Sequence, residues 1–329
     1  MHPLKAVLVF ATISVSARPN TKCPQSTLSP VSLVDIVPEV PDFENLALRH
    51  NGDILVTSVA SPKLHLISSD HKYAPVVVAE VPHYSGLLGI VEMQKDLFYV
   101  VASNLSDAAS SNAIWQVDLR KFVLSTNGSI VQPARTTIIA ELPLARQANG
   151  LSRITSHDDS HFLFSDSMDG TVSRFSIHTG KSQIVIDNPI MKPTTSGIGV
   201  GVNGVHTFGE YLYFSSFDQG VFARVPISPT GSATGRVEIL ARNITAGDDF
   251  ALSPSGAYAY LATNGPEEVL EIDIHRKTKR VMASSPFLGG GSAVAYDSRN
   301  TSASRLFVTG GLAAGNSSLG QVVVIDIAA

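Results

Sequence analysis

The chain has 329 residues, of which 44% are hydrophobic and 16% charged. This composition supports a large buried core and excludes an intrinsically disordered chain. The formal net charge is −4, and no cluster of Lys and Arg is interleaved with aromatic residues, so nucleic acid is not an expected partner.

The first 17 residues predict a secretory signal peptide. Lys5 precedes an apolar run at 6–15 that is too short to cross a membrane. The small residues at 15–17 (VSA) suit a cleavage site, and a buried N-terminal strand is the alternative. We therefore expect a protein of the secretory pathway, with an N-terminal segment at 18–30 and no membrane span.

Cys23 is the only cysteine, so the chain cannot form an internal disulfide, and the thiol is either free or paired with another chain. Five Asn-X-Ser/Thr sequons agree with a eukaryotic secretory route. Each of them predicts an exposed, glycosylated loop. The sequons begin at Asn104, Asn127, Asn243, Asn300 and Asn316.

A phrase of three short strands recurs six times after residue 30 and predicts the fold. Each copy has a starting residue, a short apolar strand, a turn marked by Gly, Asn or Asp, and two further strands. The copies begin 43 to 62 residues apart, a period typical of four-stranded propeller blades. The starting positions are Glu44, Leu87 or Leu88, Asn149, Asn203, Asp248 and Ser292.

Further strand-like segments after most copies predict the fourth, outer strands. The sixth copy has none, whereas residues 31–40 form a strand without a blade. Pairing the two would close the ring and remove exposed edges. We therefore predict an all-β, six-bladed β-propeller at 31–329, closed by an N-terminal strand that completes the last blade. Two unrelated sandwiches would leave that strand unexplained. The outer strands are expected at 74–81, 136–143, 181–187 and 236–242, and an insertion in blade 2 at 103–112.

Four starting positions carry side-chain oxygens from four different blades. The innermost strands of a propeller line its channel, so these side chains should converge at one mouth. Two carboxylates and two carboxamides suit a hard divalent cation such as Ca²⁺. The alternative is that each Asn or Asp only caps a turn. The four residues are Glu44, Asn149, Asn203 and Asp248.

The segments ENLALRHNGDILVT, NGVHTFGEYLYFSS and DDFALSPSG resemble the repeats of the senescence-marker-protein/gluconolactonase/luciferin-regenerating superfamily of six-bladed propellers. In that family a Glu, two Asn and an Asp bind one divalent cation at the channel mouth, and the Asp serves as the base in lactone hydrolysis. The resemblance implies that Asp248 is this base, with a one-residue shift to Asp249 as an alternative. It implies that the cation ligands are Glu44, Asn149, Asn203 and Asp248.

The loops around the starting positions depart from the sugar-lactone hydrolases of that family, which carry cationic and polar residues there. Arg146 and Lys192 are the only cations in these loops, and an apolar pocket of this kind is typical of a lipophilic small-molecule site. Core packing is the alternative for each aromatic residue. The expected pocket walls are Phe43, Tyr84, Phe208, Phe250 and Phe287.

Within the superfamily, the chain resembles fungal hetero-Diels–Alderases of tropolone–sesquiterpene pathways. Those enzymes dehydrate a hydroxymethyl tropolone to a quinone methide and add it across a humulene double bond. The resemblance implies the same class of reaction here, on lipophilic substrates and without a required cofactor. A pocket would hold both partners in register. The expected catalytic residues are His206 or His83 as the acid, with Asn203 and Asp248.

Two other functions stay open at this point. A lactonase or esterase would use a divalent cation at the four converging side chains. A non-catalytic secreted propeller would bind a ligand or protein on one face. The sequence allows an oligomer but specifies none.

Overall fold

The computed structural model describes residues 28–105, 111–297, 299, 304–315 and 317–327. The predicted signal peptide, Cys23 and the sequons at Asn300 and Asn316 therefore lie outside the described residues. Within those ranges the regular structure is β-sheet, with two short 3₁₀ turns at Pro189–Met191 and Pro286–Leu288. No helix in this part of the chain is long and apolar enough to cross a membrane.

The strands are short and are numbered in chain order. They are β1 (Val31–Val37), β2 (Leu46–Leu48), β3 (Ile54–Ser58), β4 (Ser61–Ile67), β5 (Val76–Glu80), β6 (Gly86–Gln94), β7 (Leu97–Ser103), β8 (Asn112–Asp118), β9 (Val123–Leu124), β10 (Ile130–Gln132), β11 (Arg135–Glu141), β12 (Ala148–Arg153), β13 (His161–Asp166), β14 (Thr171–Ser176), β15 (Ser182–Asp187), β16 (Val202–Phe208), β17 (Tyr211–Ser216), β18 (Val221–Pro226), β19 (Glu238–Ala241), β20 (Gly247–Leu252), β21 (Tyr258–Thr263), β22 (Glu268–Asp273), β23 (Thr278–Ser284), β24 (Val294–Asp297), β25 (Arg305–Ala314) and β26 (Ser317–Asp326).

Six four-stranded antiparallel sheets form six blades around a central channel. From the inside outwards they are β2-β3-β4-β5, β6-β7-β8-β11, β12-β13-β14-β15, β16-β17-β18-β19, β20-β21-β22-β23 and β24-β25-β26-β1. Strands β9 and β10 form a separate hairpin between the third and outer strands of blade 2. The predicted all-β, six-bladed propeller is confirmed, and the four expected outer strands correspond to β5, β11, β15 and β19.

The N-terminal strand closes the ring as predicted. β1 pairs antiparallel with β26, from Val31 opposite Ile325 to Val37 opposite Gly320. Its Val34 and Val37 are buried in the core between blades 6 and 1. The outer edge of β26 is thereby covered, which removes a surface on which another chain could pair.

The inner strands of blades 2 to 5 share an irregularity near their beginning. In blade 4 the pairing passes from Val202–Ser216 to Val205–Phe214, so two residues of the inner strand oppose one residue of its neighbour. A bulge of this kind bends the strand and redirects its side chains. The bulged pairs are 88–89, 149–150, 203–204 and 248–249.

A buried hydroxyl on the second strand ties two of these bulges, in blades 3 and 4, to the next blade. In blade 4, Ser215 Oγ accepts a hydrogen bond from Gly204 N at 3.0 Å and donates to the carbonyl oxygen of Asp248 in blade 5. In blade 3, Ser165 Oγ likewise accepts from Gly150 N and donates to the Asn203 carbonyl at 2.6 Å. Four blades repeat this arrangement, through Thr57, Ser165, Ser215 and Thr309.

Removing one of these hydroxyls is expected to destabilise the ring. Ser215→Ala leaves a buried N–H and a buried C=O without their partner, which costs about 1–3 kcal/mol for each unsatisfied group. Urea unfolding should show the loss. Ser216→Ala is the matched control, because Ser216 is equally buried but its Oγ has no hydrogen-bond partner among the described residues. Equal losses in the two variants would contradict the proposed link between blades.

Candidate functional site

The inner strands run in the same direction along the channel. A Cβ built on Gly150 would lie 2.7 Å from the Asn203 carbonyl oxygen, and one on Gly204 would lie 2.2 Å from Asp249 Oδ1. Equivalent positions of adjacent blades are thus side by side, and only a residue without a side chain permits this approach. The channel therefore has an N-terminal mouth, where the inner strands begin, and a C-terminal mouth, where they end.

Two carboxylates meet at the N-terminal mouth on either side of one hydroxyl. Ser292 Oγ lies 2.8 Å from Glu44 Oε2 and 3.0 Å from Asp248 Oδ2. Asn264 Nδ2 also donates to Asp248 Oδ2, at 3.2 Å. Since a hydroxyl has one hydrogen, it can donate to only one of the two acids at a time. Both carboxylates are therefore satisfied at the same time only if one of them carries a proton or a cation binds nearby.

The electrostatics of this acid pair favour such a proton. Burial, helped by the nearby carboxylate of Asp249, raises the pKa of Glu44 to about 7, and the hydrogen bond from Ser292 opposes this shift. Burial and the adjacent Glu44 raise the pKa of Asp248 well above its usual range. At neutral pH the pair is therefore able to hold a proton that an exposed carboxyl would have lost.

The two predicted amides lie at the same mouth and leave acceptors free. Asn149 Nδ2 donates to Asn203 Oδ1 at 2.9 Å and to Ser167 Oγ at 3.2 Å. Asn149 Oδ1 and Asp248 Oδ1 are buried and have no hydrogen-bond partner among the described residues. An orphaned carboxylate oxygen of the acid pair and an orphaned amide oxygen at the same mouth suit a hard cation such as Ca²⁺, for which Glu44, Asn149 and Asp248 are the candidate ligands. Asn203 would join only if its amide turned.

This donor set depends on the amides. Across residues 28–105, 111–297, 299, 304–315 and 317–327, no group of three or more His, Cys, Asp or Glu side chains is arranged to hold a metal ion. The structure thus joins the predicted cation ligands in two pairs. Glu44 and Asp248 share the Ser292 hydroxyl, and Asn149 is bonded to Asn203.

A second polar centre lies deeper in the channel, around Asp249. Asp249 Oδ1 lies 2.9 Å from His206 Nε2 and accepts from Phe250 N at 2.7 Å. Asn45 Nδ2, from blade 1, donates to Asp249 Oδ2 at 2.7 Å and so connects two blades that are not neighbours. Asp249 is 5% exposed, whereas the His206 side chain is 35% exposed. A buried carboxylate therefore orients an accessible imidazole, as in an acid–base pair.

His206 lies between two clefts at the C-terminal mouth, and Thr207 lines both of them as well. The first, of 620 Å³, is the polar cleft, lined by Glu92, Gln94, Lys95, Ser152 and Arg153 among others. The second, of 480 Å³, is the apolar cleft, lined by Leu46, Leu48, Phe208, Leu252, Val294 and Tyr296 among others. All six blades contribute to this double opening.

The five predicted aromatic residues are dispersed. Phe43 and Phe250 are buried in the core, but Phe250 also lines the apolar cleft, and its ring meets the His206 ring nearly at right angles with centroids 4.9 Å apart. Phe208 is 38% exposed and lines the apolar cleft. Tyr84 is half-buried against the core of blades 1 and 2. Phe287 is exposed in the 3₁₀ turn before β24.

The remaining predicted residues lie on loops. His83 is exposed, has a φ of 68°, and is not among the residues lining either cleft. Its carbonyl accepts a hydrogen bond from Asn104 Nδ2 at 3.0 Å. Of the described sequon residues, Asn127 and Asn243 are exposed and Asn104 is half-buried.

The acid pair should make stability depend on pH. Glu44 has a pKa of about 7 in the folded protein against 4.5 for an ordinary Glu, so between these values the folded state holds a proton that the unfolded state has lost. The contribution of Glu44 to stability is then full below about pH 4.5 and is lost as the pH rises through about 7. Without divalent cations, the urea midpoint should fall between pH 5 and 7.5.

Two variants test the origin of this pH dependence. Glu44→Gln should flatten the slope, because the amide does not titrate. Glu39→Gln removes an exposed carboxyl from the same region and should leave the slope unchanged. A slope that survives in Glu44→Gln would place its origin elsewhere in the chain.

Fold and channel define the chain as a six-bladed β-propeller with a polar centre. No protein-family model matches it. In sequence it is similar to the "Putative hetero-Diels-Alderase asR5" of Sarocladium schorii, with 24% identity over 213 residues, covering 58% of this chain and 52% of that protein. The chain thus spans about half the length of this curated relative.

Solved propellers share the fold. The calcium-binding protein regucalcin of Agrobacterium tumefaciens has a TM-score of 0.61 at 15% identity, with 90% of this chain and 95% of that one covered. A luciferin-regenerating enzyme has a TM-score of 0.62 at 13% identity, with the same two coverages. Likeness at these identities shows the fold alone. The resemblance drawn from the sequence, to propellers of the gluconolactonase kind and to a hetero-Diels–Alderase, is confirmed as a resemblance.

Proposed function

We propose that the protein is an enzyme that joins two lipophilic small molecules, of the hetero-Diels–Alderase kind, at the C-terminal mouth of its channel. The observation that carries this proposal is the position of His206, which is hydrogen-bonded to buried Asp249 and lines two clefts at once. A reaction between two partners needs two binding spaces that adjoin, so that the partners are held in contact with each other and with the reacting group. The similarity to the Sarocladium relative supports the same class.

His206 suits the acid–base step of such a reaction. Its Nε2 is held by Asp249, so Nδ1 is left to face a substrate. In its protonated form, Nδ1 would donate a proton to the departing hydroxyl of a hydroxymethyl tropolone, and the C–O bond would break to release water. Loss of water from the ring-oxygen anion would leave a neutral quinone methide. His206 would take a proton back from solvent, which balances the proton that the ring hydroxyl lost when it ionised. One C–C and one C–O bond form as this heterodiene adds to an alkene, without an oxidant or reductant.

The direct test is to incubate the full chain with a hydroxymethyl tropolone and humulene and to follow adducts by chiral chromatography and mass spectrometry. We expect adduct formation faster than in buffer and with one stereoisomer in excess. Adducts at the uncatalysed rate and with the uncatalysed isomer ratio would overturn the proposal.

A specific observation favours a second candidate, a cation-dependent lactonase or esterase at the N-terminal mouth. Asn149 Oδ1 and Asp248 Oδ1 are buried and have no hydrogen-bond partner in the described part of the chain. A divalent cation held there would supply polarisation of a carbonyl group. The raised pKa of Asp248 would let its carboxyl hold the proton removed from a water molecule. Hydrolysis of small aliphatic lactones, with and without Ca²⁺, tests this candidate.

We also propose that the protein is secreted and glycosylated, as its sequence predicts. Asn127 and Asn243 are exposed, which is the condition for modification. Endoglycosidase treatment should lower the apparent mass of the protein expressed in a fungal host. A variant in which all five sequon Asn residues are replaced by Gln should show no change in mass on the same treatment.

A further inference from the structure

The two clefts at the C-terminal mouth differ in charge. None of the residues lining the apolar cleft is Asp, Glu, Lys or Arg, and His206 is its one titratable side chain besides the Tyr296 phenol. The polar cleft contains three charged residues, namely Glu92, Lys95 and Arg153. Two spaces of such different polarity are suited to two different partners.

In the polar cleft, the two cations are in different situations. Arg153 is occupied, because its guanidinium donates to the carbonyl oxygens of Met93 and Ser156 and pairs with Asp159 at 2.7 Å. Lys95 is exposed on the turn between β6 and β7, and its ammonium group has no hydrogen bond or ion pair among the described residues. Lys95 is therefore the cation that remains available to a ligand.

The neighbouring acid, Glu92, does not form an ion pair with Lys95. Glu92 Oε1 accepts the backbone N–H of Asp96 at 2.7 Å, and the Asp96 carboxylate is held by Arg49 at 2.9 Å. Both acids are thus already bound to groups other than Lys95. A ligand that carries an anionic oxygen would meet one free positive charge in this cleft.

In the apolar cleft, Phe208 presents the largest accessible apolar side chain. Its ring lies against the turn at Gly256, where an added Cβ would approach to 2.2 Å. The turn fixes the ring, so a ligand meets a preformed wall completed by Leu46, Leu48 and Val294. Such a surface recognises hydrocarbon by area and shape, with no polar anchor.

We infer that the apolar cleft binds the hydrocarbon partner and that the polar cleft binds the planar, oxygen-bearing partner as an anion, with Lys95 as its specificity-determining residue. This inference rests on the proposed function for the identity of the partners. The two clefts adjoin at His206 and Thr207, which line both of them, so the oxygen of the heterodiene and the alkene can meet there. Phe208 is then the corresponding specificity-determining residue for the hydrocarbon.

Binding measurements on the full chain test the assignment independently of turnover. The probes are tropolone, titrated near neutral pH where its anion is populated, and humulene, measured by equilibrium dialysis. Lys95→Gln should weaken tropolone binding roughly two- to fivefold, as expected for a partly exposed charge pair, and leave humulene binding unchanged. Phe208→Ser should weaken humulene binding roughly fivefold or more and leave tropolone binding unchanged.

Matched variants make the outcomes decisive. Lys121→Gln removes another exposed lysine and should change neither affinity. Phe208→Leu keeps an apolar wall and should retain most humulene binding, which separates loss of contact from loss of fold. If each of the two test variants weakens both probes equally, or neither, the assignment is overturned. If Lys95→Gln weakens only tropolone binding and Phe208→Ser only humulene binding, but no adduct forms, the assignment stands and the proposed reaction fails.

Discussion

Replacing His206 with Gln is expected to lower turnover of the paired substrates by roughly 10²- to 10⁴-fold, the range for loss of a general acid–base group. Gln keeps a hydrogen bond to Asp249 but cannot carry a proton to the departing hydroxyl. The binding of each partner alone should change little, because the walls of both clefts remain. Single-turnover rates with mass-spectrometric detection, beside binding data for each partner, would separate the two effects.

The carboxylate behind the imidazole provides a second reading of the same step. Asp249→Asn should also lower the rate, because the buried carboxylate that holds His206 Nε2 is replaced by a neutral amide. Asn45→Ala should have a smaller effect, since it frees Asp249 Oδ2 while its charge remains. His178→Gln is the control, because His178 is an exposed histidine whose ring, among the described residues, is bonded only to Ser160 Oγ. If His206→Gln retains the parent rate, the chemistry does not occur at this mouth.

The fold was predictable because a propeller repeats. Six copies of one pattern fix the number of blades, and a spare strand beside an incomplete last blade fixes the closure by β1 and β26. The insertion of β9 and β10 was not predictable, because it belongs to one blade and has no counterpart in the others. Six repeats reinforce one another's weak sequence signals, whereas an insertion occurs once and has only its own weak signal.

The N-terminal mouth was predictable for the same reason. Glu44, Asn149, Asn203 and Asp248 hold equivalent positions, and symmetry brings equivalent positions together. The Ser292 hydroxyl was present in the repeat, but its role depends on distances of 2.8 and 3.0 Å to two acids from different blades. Such distances depend on how the blades pack and have no counterpart in a sequence pattern.

The C-terminal mouth was harder to predict because of the bulges. In a regular strand Asn203 and His206 would face opposite sides, since three positions separate them. The extra residue at 203–204 shifts the alternation, so both side chains reach the channel but at different depths. The same shift in blade 5 lets Asp248 join the acid pair while Asp249 turns to His206. One local irregularity thus separates two polar centres that the repeat alone would merge.

Two centres in one channel also explain how a shared fold can serve different reactions. The N-terminal mouth has oxygens for a cation, whereas the C-terminal mouth has an acid–base pair between two clefts. A propeller that keeps one centre and changes the other retains its architecture, because blade packing depends on the buried faces of the strands. Fold likeness to regucalcin or to a luciferin-regenerating enzyme is therefore compatible with a different reaction here.

Removing divalent cations should distinguish the two mouths. After dialysis against a chelator, we expect the adduct-forming rate to stay within about threefold of the parent, because general acid–base catalysis and alignment require no metal. Ca²⁺ added back should bind. At pH values above 7 it should raise the urea concentration at the unfolding midpoint, because it neutralises the acid pair. Calorimetric titration and unfolding measurements on the same sample would report both effects.

Asp248→Asn provides the corresponding variant. The Asn amide preserves an acceptor for the Ser292 hydroxyl but removes one of the two negative charges that would hold Ca²⁺. The affinity for Ca²⁺ should therefore fall by roughly 10²-fold or more. Asn149→Ala, which removes a neutral ligand, should weaken binding less. Neither change should affect adduct formation as His206→Gln does. A different result is that chelation and Asp248→Asn both abolish turnover while His206→Gln leaves it intact. The N-terminal mouth is then the active site, because turnover requires the cation and the Asp248 carboxylate but not the imidazole. The cation-dependent hydrolase becomes the better account.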